Sequence, residues 1–306
     1  MPVPTQTDSE GRIKAGTILT PDIDQSIALY DQYFGYKPIT EGVVDDAWAA
    51  AMGAPQQVGK RFVTLAPASG IEIYIRFIEG SAVPAYLPLR SFGWASLEIT
   101  VQDVYGLAAR LEDSPFEIIG PPKKLEFSDA FIPMQCVGPS GEVLYLNQVN
   151  HAIPGQHLPI AQSDVDHIFI TPLATPDMDA AIAFYADAFG WDKGEVYESP
   201  YSVINNAFGL PVETKHRFGM TQVGELLNNE VDQYPDGTIE RPTVPGELPP
   251  GLSFISFMTN SLDAVKAAPI SPIFTRTEAP YAGRRAVFYK GAAGELIEAI
   301  EINAAA

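Results

Sequence analysis

The 306-residue sequence contains a single cysteine, Cys136, so an intramolecular disulfide framework is excluded. Basic residues are also scarce: 19 lysines and arginines stand against 38 aspartates and glutamates, for a formal net charge of −19. Nucleic acids and anionic membranes both need a basic face on a protein partner. The composition therefore argues against both kinds of partner and is typical of a solvated, soluble surface.

Long apolar runs are missing as well. No run approaches the ~20 residues that a membrane-spanning helix needs, and the stretch Met1 to Arg12 is polar, without an apolar targeting region. We therefore expect a cytoplasmic location. The sequence has no phosphate loop, no Gly-x-Gly-x-x-Gly motif and no Gly-x-Ser-x-Gly motif, so nothing in it indicates a nucleotide cofactor.

An internal repeat is the strongest positive feature of the sequence. Ile27-Ala28-Leu29-Tyr30 recurs as Ile182-Ala183-Phe184-Tyr185, at an offset of 155 residues, and Arg61-Phe62 recurs as Arg217-Phe218, at an offset of 156. A weaker match relates Gly141–Tyr145 to Gly294–Glu298, at an offset of 153. The chain therefore consists of two alternating kinds of module.

We divide the chain into four modules of strand, helix and three strands. Modules one and two (12–80 and 91–149) form a predicted N-terminal domain, 1–150, and modules three and four (166–235 and 251–302) a C-terminal domain, 163–306. The linker 151–162 contains prolines, a glycine and the histidines His151 and His157, which we expect to be exposed. The insertion Tyr234 to Gly251 is long for an ordered loop and is interpreted as a lid, an interface arm or a plain surface loop.

This organisation resembles the vicinal oxygen chelate superfamily, which includes glyoxalase I, bleomycin-resistance proteins, fosfomycin-resistance enzymes and extradiol dioxygenases. The resemblance depends on Asp166–Ile170, on the later Phe189-Gly190-Trp191, and on Gly294–Glu298. It implies an α+β fold in which each pair of βαβββ modules forms a cup-shaped, mostly antiparallel sheet with helices outside. In that family, metal ligands come from the first and last strands of the modules.

Carried over by position, the resemblance implies that His167, Glu230 and Glu298 bind a divalent metal in the C-terminal cup. The fourth position falls at Ser253 or Phe254, neither of which matches the histidine or glutamine that is common there. One imidazole and two carboxylates suit Zn²⁺, Mn²⁺, Fe²⁺ or Co²⁺, and three protein ligands leave positions open for substrate oxygens. If the strand register differs, Glu295 and Glu301 are the alternative glutamates.

The repeat allows the two halves to be compared at these positions. His167 corresponds to Arg12 at an offset of 155, Glu230 to Tyr74 at 156, and Glu298 to Tyr145 at 153. In the repeat, every candidate ligand of the C-terminal half thus corresponds to an N-terminal residue that is not a candidate ligand. We therefore predict that the N-terminal cup lacks a metal site.

Two further residues are candidates for catalysis. His216 lies on a predicted strand and could act as a general base, and Tyr281 lies with Arg284 and Arg285 before a strand of module four. A metal-dependent lyase or isomerase acting on a small organic substrate with adjacent oxygens is the first hypothesis. An extradiol ring-cleavage dioxygenase and a non-catalytic binding or resistance protein are the alternatives, and a homodimer is left open.

Overall fold

The computed structural model describes residues 7–125 and 129–303, so parts of the predicted polar start and of the tail Ile302–Ala306 lie outside the described residues. Module one contains β1 (Ile13–Thr20), α1 (Ile23–Phe34), β2 (Lys37–Val43), α2 (Asp46–Ala51), β3 (Arg61–Ala66) and β4 (Tyr74–Glu79). Module two contains β5 (Gly93–Trp94), β6 (Leu97–Val101), α3 (Val104–Leu111), β7 (Glu117–Gly120), β8 (Phe131–Val137) and β9 (Val143–Val149).

Module three repeats the order of module one, and module four repeats the order of module two in part. Module three contains β10 (Val165–Thr175), α4 (Met178–Phe189), β11 (Asp192–Pro200), α5 (Ser202–Phe208), β12 (Lys215–Val223) and β13 (Leu226–Gln233). Module four contains β14 (Gly251–Thr259), β15 (Phe274–Thr275), β16 (Arg285–Lys290) and β17 (Leu296–Glu301). The sequence predicts a short helix over Leu262–Ala267 in module four. That prediction is wrong, because a 3-10 turn forms at Leu262–Ala264. Pro269 follows closely and disfavours helical backbone before it.

The first helices of modules one and three begin and end in the same way. The Asp22 carboxylate accepts a hydrogen bond from the Gln25 amide at 2.9 Å, and Asp177 accepts one from Ala180 at 3.0 Å. Both helices end at a glycine in the left-handed conformation, Gly35 and Gly190, which only glycine adopts without strain. Aspartate favours the start of a helix and glycine its end, so the sequence predicts these four caps, and the structure confirms them.

The strands form two curled sheets, and the pairing of modules differs from the expected one. One sheet joins module one to module four through the antiparallel pair β1 and β14; the other joins module two to module three through β6 and β10. The predicted pairing of neighbouring modules into an N-terminal and a C-terminal cup is therefore wrong. The linker 151–162 connects modules two and three, which belong to the same sheet. The connections between modules one and two and between modules three and four each pass from one sheet to the other.

The insertion Tyr234–Gly251 is one of these crossings. Arg241 pins it by donating hydrogen bonds to Ser91 Oγ at 3.1 Å, to the Trp94 carbonyl at 2.7 Å and to the Leu252 carbonyl at 2.9 Å. The segment is thus held against the connection between modules one and two, rather than being a free loop. We call the segment Tyr234–Gly251 the strap.

The main hydrophobic core lies between the two sheets and beneath α1, α3 and α4. Gly16 of β1 shows how closely the sheets approach, since a Cβ there would lie 2.6 Å from the Leu97 side chain. Separate apolar clusters cover the concave face of each sheet. No helix among the described residues is long and apolar enough to cross a membrane.

Candidate functional site

We call the concave face formed by modules one and four the first cup. A buried ion pair occupies its centre: Arg76 Nη2 of β4 lies 3.1 Å from Glu298 Oε2 of β17. Arg76 also donates to Thr17 Oγ1 at 3.0 Å and to Tyr281 Oη at 2.9 Å, while Tyr281 and Ser256 both donate to the Glu298 carboxylate. The first and last strands of both modules supply four of these five residues.

Aromatic rings surround the Arg76 guanidinium. Its Cζ lies 4.9 Å from the Trp48 ring, 5.0 Å from the Phe254 ring and 5.5 Å from the Tyr281 ring, at distances where cation–π attraction is effective. Burial alone would lower the pKa of Arg76, but Tyr281 and Glu298 more than offset this, so its pKa lies above the ordinary value. A permanent cation fills this centre, and the residues therefore do not fit a divalent metal.

The concave face formed by modules two and three, the second cup, has a different centre. Three carboxyl groups lie there: Glu98 on β6, and Glu230 and Asp232 on β13. Asn147 Nδ2 donates to Glu98 at 2.7 Å, and Tyr201 Oη, at the start of α5, donates to Glu230 at 2.9 Å. Within residues 7–125 and 129–303, no lysine or arginine bonds to any of the three.

Burial of these acids raises their pKa values. The pKa of Glu98 lies well above its usual range because of burial and, next, the charge of Glu230. The pKa of Asp232 is raised well above its ordinary value by burial and by the Glu230 charge. Burial also raises the pKa of Glu230, although the hydrogen bond from Tyr201 and the neighbouring Asp232 carboxyl act against the shift. Glu230 is thus the best placed of the three to hold a negative charge.

Several buried oxygen atoms in the second cup have no hydrogen-bond partner within the described parts of the chain. They are both carboxyl oxygens of Asp232, Asn147 Oδ1, Tyr145 Oη and Tyr234 Oη. All can accept a hydrogen bond, and leaving buried polar atoms unpaired is costly. Glu98 and Glu230 each retain 8% exposure, so the cup is not sealed from solvent.

Strand register shows which residues of the two cups are equivalent. Arg76 lies opposite Thr17 and Thr64 on the two neighbouring strands. Glu230 lies opposite Pro172 and Met220, which correspond to Thr17 and Thr64 in the repeat. Glu230 therefore corresponds to Arg76, and the predicted match to Tyr74 is wrong. The turn before the last strand is shorter in module three, which moves the offset from 156 to 154.

The same comparison confirms the other predicted match. Tyr145 pairs with Gln135 as Glu298 pairs with Phe288, both at the offset of 153.

The structure does not bring the three predicted metal ligands together. Glu298 lies in the first cup and Glu230 in the second, because the modules pair differently from the prediction. His167, on β10, lies with Nδ1 3.3 Å from Asp166 Oδ1 and near His157. In residues 7–125 and 129–303, no group of three or more His, Cys, Asp or Glu side chains is arranged to hold a metal ion.

The catalytic candidates also separate. His216 Nε2 lies 2.7 Å from Asn205 Oδ1 and ties β12 to α5, and burial lowers the pKa of His216. Tyr281 does reach Glu298, at 2.7 Å, but shares it with Arg76.

The remaining candidates have structural partners. Glu295 accepts from Tyr185 Oη at 2.7 Å, and Glu301 pairs with Arg285 at 3.3 Å. Arg284 pairs with Asp8 at 2.6 Å. Of the two fourth-position candidates, Phe254 packs over Arg76, and Ser253 donates to the Pro249 carbonyl at 2.6 Å.

Sequence reasoning missed Arg76, Glu98 and Asp232. A charged residue within an otherwise apolar strand was the available signal, as in Leu97-Glu98-Ile99 and Ile75-Arg76-Phe77.

Neither a protein-family model nor a curated protein sequence matches the chain. Among solved structures, glyoxalase I from Zea mays matches with a TM-score of 0.61 at 14% identity, over 97% of this chain and 94% of that chain. A putative dioxygenase from Bacillus subtilis matches with a TM-score of 0.60 at 12% identity, over 96% of this chain and 86% of that chain. Likeness at such identities establishes the fold and leaves the activity open. In fold, the chain is thus similar to glyoxalase I and to the putative dioxygenase, as its sequence resemblance implied.

Proposed function

We propose that the second cup is the functional site and that it binds a small organic molecule. The observation that supports this most is the difference between two equivalent centres. Arg76 neutralises the first centre from within the chain, whereas the second keeps three carboxyl groups and five unpartnered oxygen atoms. Buried polar groups without partners are a feature of ligand sites and destabilise an ordinary core.

Each residue of the second cup has a definable part in binding. Tyr201 and Asn147 hold the Glu230 and Glu98 carboxyl groups in place through their hydrogen bonds. Asp232, whose two carboxyl oxygens have no hydrogen-bond partner among the described residues, offers further acceptor atoms to a ligand. Tyr145 and Tyr234 add a polar hydroxyl on an apolar ring, a combination common in small-molecule sites.

A metal-dependent lyase or isomerase, the first hypothesis from the sequence, remains the main rival, together with a ring-cleaving dioxygenase. The names of the structural neighbours, glyoxalase I and a putative dioxygenase, speak for these activities in those proteins. In this chain, the predicted ligand His167 lies beside Asp166 and away from Glu230 and Glu298, and Arg76 lies beside Glu298. These observations favour binding without a metal, so we derive no step through one.

Two measurements test the proposal. Metal analysis of protein purified without chelator should find less than one equivalent of zinc, manganese or iron. A thermal-shift panel of benzylamine, benzoate, benzyl alcohol and catechol should yield at least one stabilising compound. Its effect should be lost in Glu230→Gln and kept in the first-cup control Tyr281→Phe. A stoichiometric metal with catechol turnover, or the reverse pattern in the two variants, would overturn the proposal.

A further inference from the structure

We infer that the second cup takes an organic cation, namely a small molecule carrying a guanidinium or ammonium group. This inference rests on the proposed function of that cup and adds the chemical class of its ligand. Its source is the first cup, where the chain supplies such a group itself.

Arg76 shows how this kind of cup holds a guanidinium. Its nitrogen atoms donate to a carboxylate, a phenol and a hydroxyl at 3.1, 2.9 and 3.0 Å, on Glu298, Tyr281 and Thr17. Three aromatic rings lie within 5.5 Å of its central carbon. Proteins commonly recognise organic cations by this combination of a carboxylate that accepts their hydrogen bonds and aromatic rings that face the positive charge.

The second cup has the same kinds of group, but none of the lysines and arginines that the structure describes bonds to its acids. Glu230 stands at the position of Arg76, so an acid replaces a base there. Glu98 and Asp232 add two more acids. Tyr145 and Tyr201 have ring centres 6.4 Å apart and lie beside these acids. An anionic ligand would be repelled by this set, whereas a cation would offset its burial.

A polyatomic cation fits the geometry better than a metal ion does. The five unpartnered oxygens come from carboxyl, amide and phenol groups, which are dispersed acceptors for several N–H donors. Within the described residues, the acids are not gathered around one point as metal ligands would be. Tyr197, stacked on Phe218 at 5.3 Å and influenced by the Glu230 charge, adds aromatic surface at the less buried side of the cup.

Methylguanidinium is the probe, with N-methylurea as a neutral compound of similar shape and Mg²⁺ as the metal arm. Calorimetric titration at pH 8 should detect methylguanidinium binding and neither control. The association constant should fall at least about tenfold in Glu230→Gln and in Asp232→Asn. It should be unchanged in Glu198→Gln, which alters an exposed glutamate of β11.

Two further variants keep the test decisive. Glu230→Arg places a guanidinium at the counterpart of Arg76, so it should abolish methylguanidinium binding and raise the melting temperature. Arg76→Ala opens the first cup and should gain a methylguanidinium site there, which serves as the positive control.

The outcomes separate the two proposals. Binding of benzoate or benzyl alcohol that depends on Glu230, with no binding of methylguanidinium, overturns the cation inference and leaves the proposed function standing. If no probe binds in the second cup, while methylguanidinium does bind to the Arg76→Ala variant, both the proposed function and the cation inference are overturned. Mg²⁺ binding that Glu230→Gln removes would replace the organic cation with a metal.

Discussion

Replacing Arg76 with alanine should be among the most destabilising single changes in the protein. Its guanidinium and the Glu298 carboxylate are 1% and 0% exposed, at 3.1 Å from each other. Alanine leaves the carboxylate buried without its counter-charge, and Tyr281 and Thr17 lose a donor as well.

The magnitude follows from the burial of the pair. Breaking a buried ion pair on one side costs roughly 3–5 kcal/mol, because an uncompensated charge remains in a medium of low polarity. That is a large part of the ~5–15 kcal/mol by which a typical domain is stable. Removing both charges together, as in Arg76→Met with Glu298→Leu, should cost much less, since apolar residues often replace such a pair without loss.

Urea denaturation followed by fluorescence measures these differences in the free energy of unfolding. Arg61→Ala is the matched control. Arg61 lies on β3, next to β4 in the same sheet, and pairs with Asp24 at 3.0 Å, but the two side chains are 41% and 75% exposed. An exposed pair contributes ~0–1 kcal/mol. If Arg76→Ala costs no more than Arg61→Ala, or if the double variant is as unstable as Arg76→Ala, the reasoning is wrong.

Three further predictions concern other parts of the structure. Burial raises the pKa of Glu142 and of Glu295 to about 7 from an ordinary 4.5. The folded state therefore holds more protons than the unfolded state between these values, and stability should fall as the pH rises from 4.5 to 7. Glutamine at both positions should flatten the profile of melting temperature against pH, and an unchanged slope would contradict this. Tyr201→Phe removes the donor to Glu230 and should cost about 1 kcal/mol in urea denaturation; a neutral result would mean that the bond adds nothing. Arg241→Ala should increase amide hydrogen exchange along the strap and the adjoining crossing, and unchanged protection would show that Arg241 does not pin them.

The repeat, the fold class and the helix caps were predictable because each depends on local pattern. Asp22 and Gly35 recur as Asp177 and Gly190 in equivalent contexts, and their side-chain or backbone chemistry determines where a helix begins and ends. The edge strands β2 and β11 were not located. Their residues are largely exposed and alternate weakly, so they leave little hydrophobic signal.

The pairing of modules could not be read in the same way. All four first strands are almost wholly buried, and any of them offers a suitable edge to another. The observed arrangement depends on strand pairing between residues far apart in sequence, since β1 pairs with β14, more than 230 residues later in the chain. Local patterns carry no information about such a choice, and the predicted metal site failed for this reason, since Glu230 and Glu298 were assigned to one cup.

The difference between the two cups indicates that the fold itself does not require the buried acids of the second cup. A core selected for stability alone would favour the first arrangement, in which Arg76 satisfies Glu298 within the chain. The second arrangement holds Glu98, Glu230 and Asp232 together against their mutual repulsion and against burial. Because the repeat shows that the same backbone can accept a neutralised pair at these positions, the acids of the second cup are not imposed by the fold. Departures from a fully satisfied core tend to mark sites where a protein does something other than fold, and the second cup is the place where this chain makes that departure.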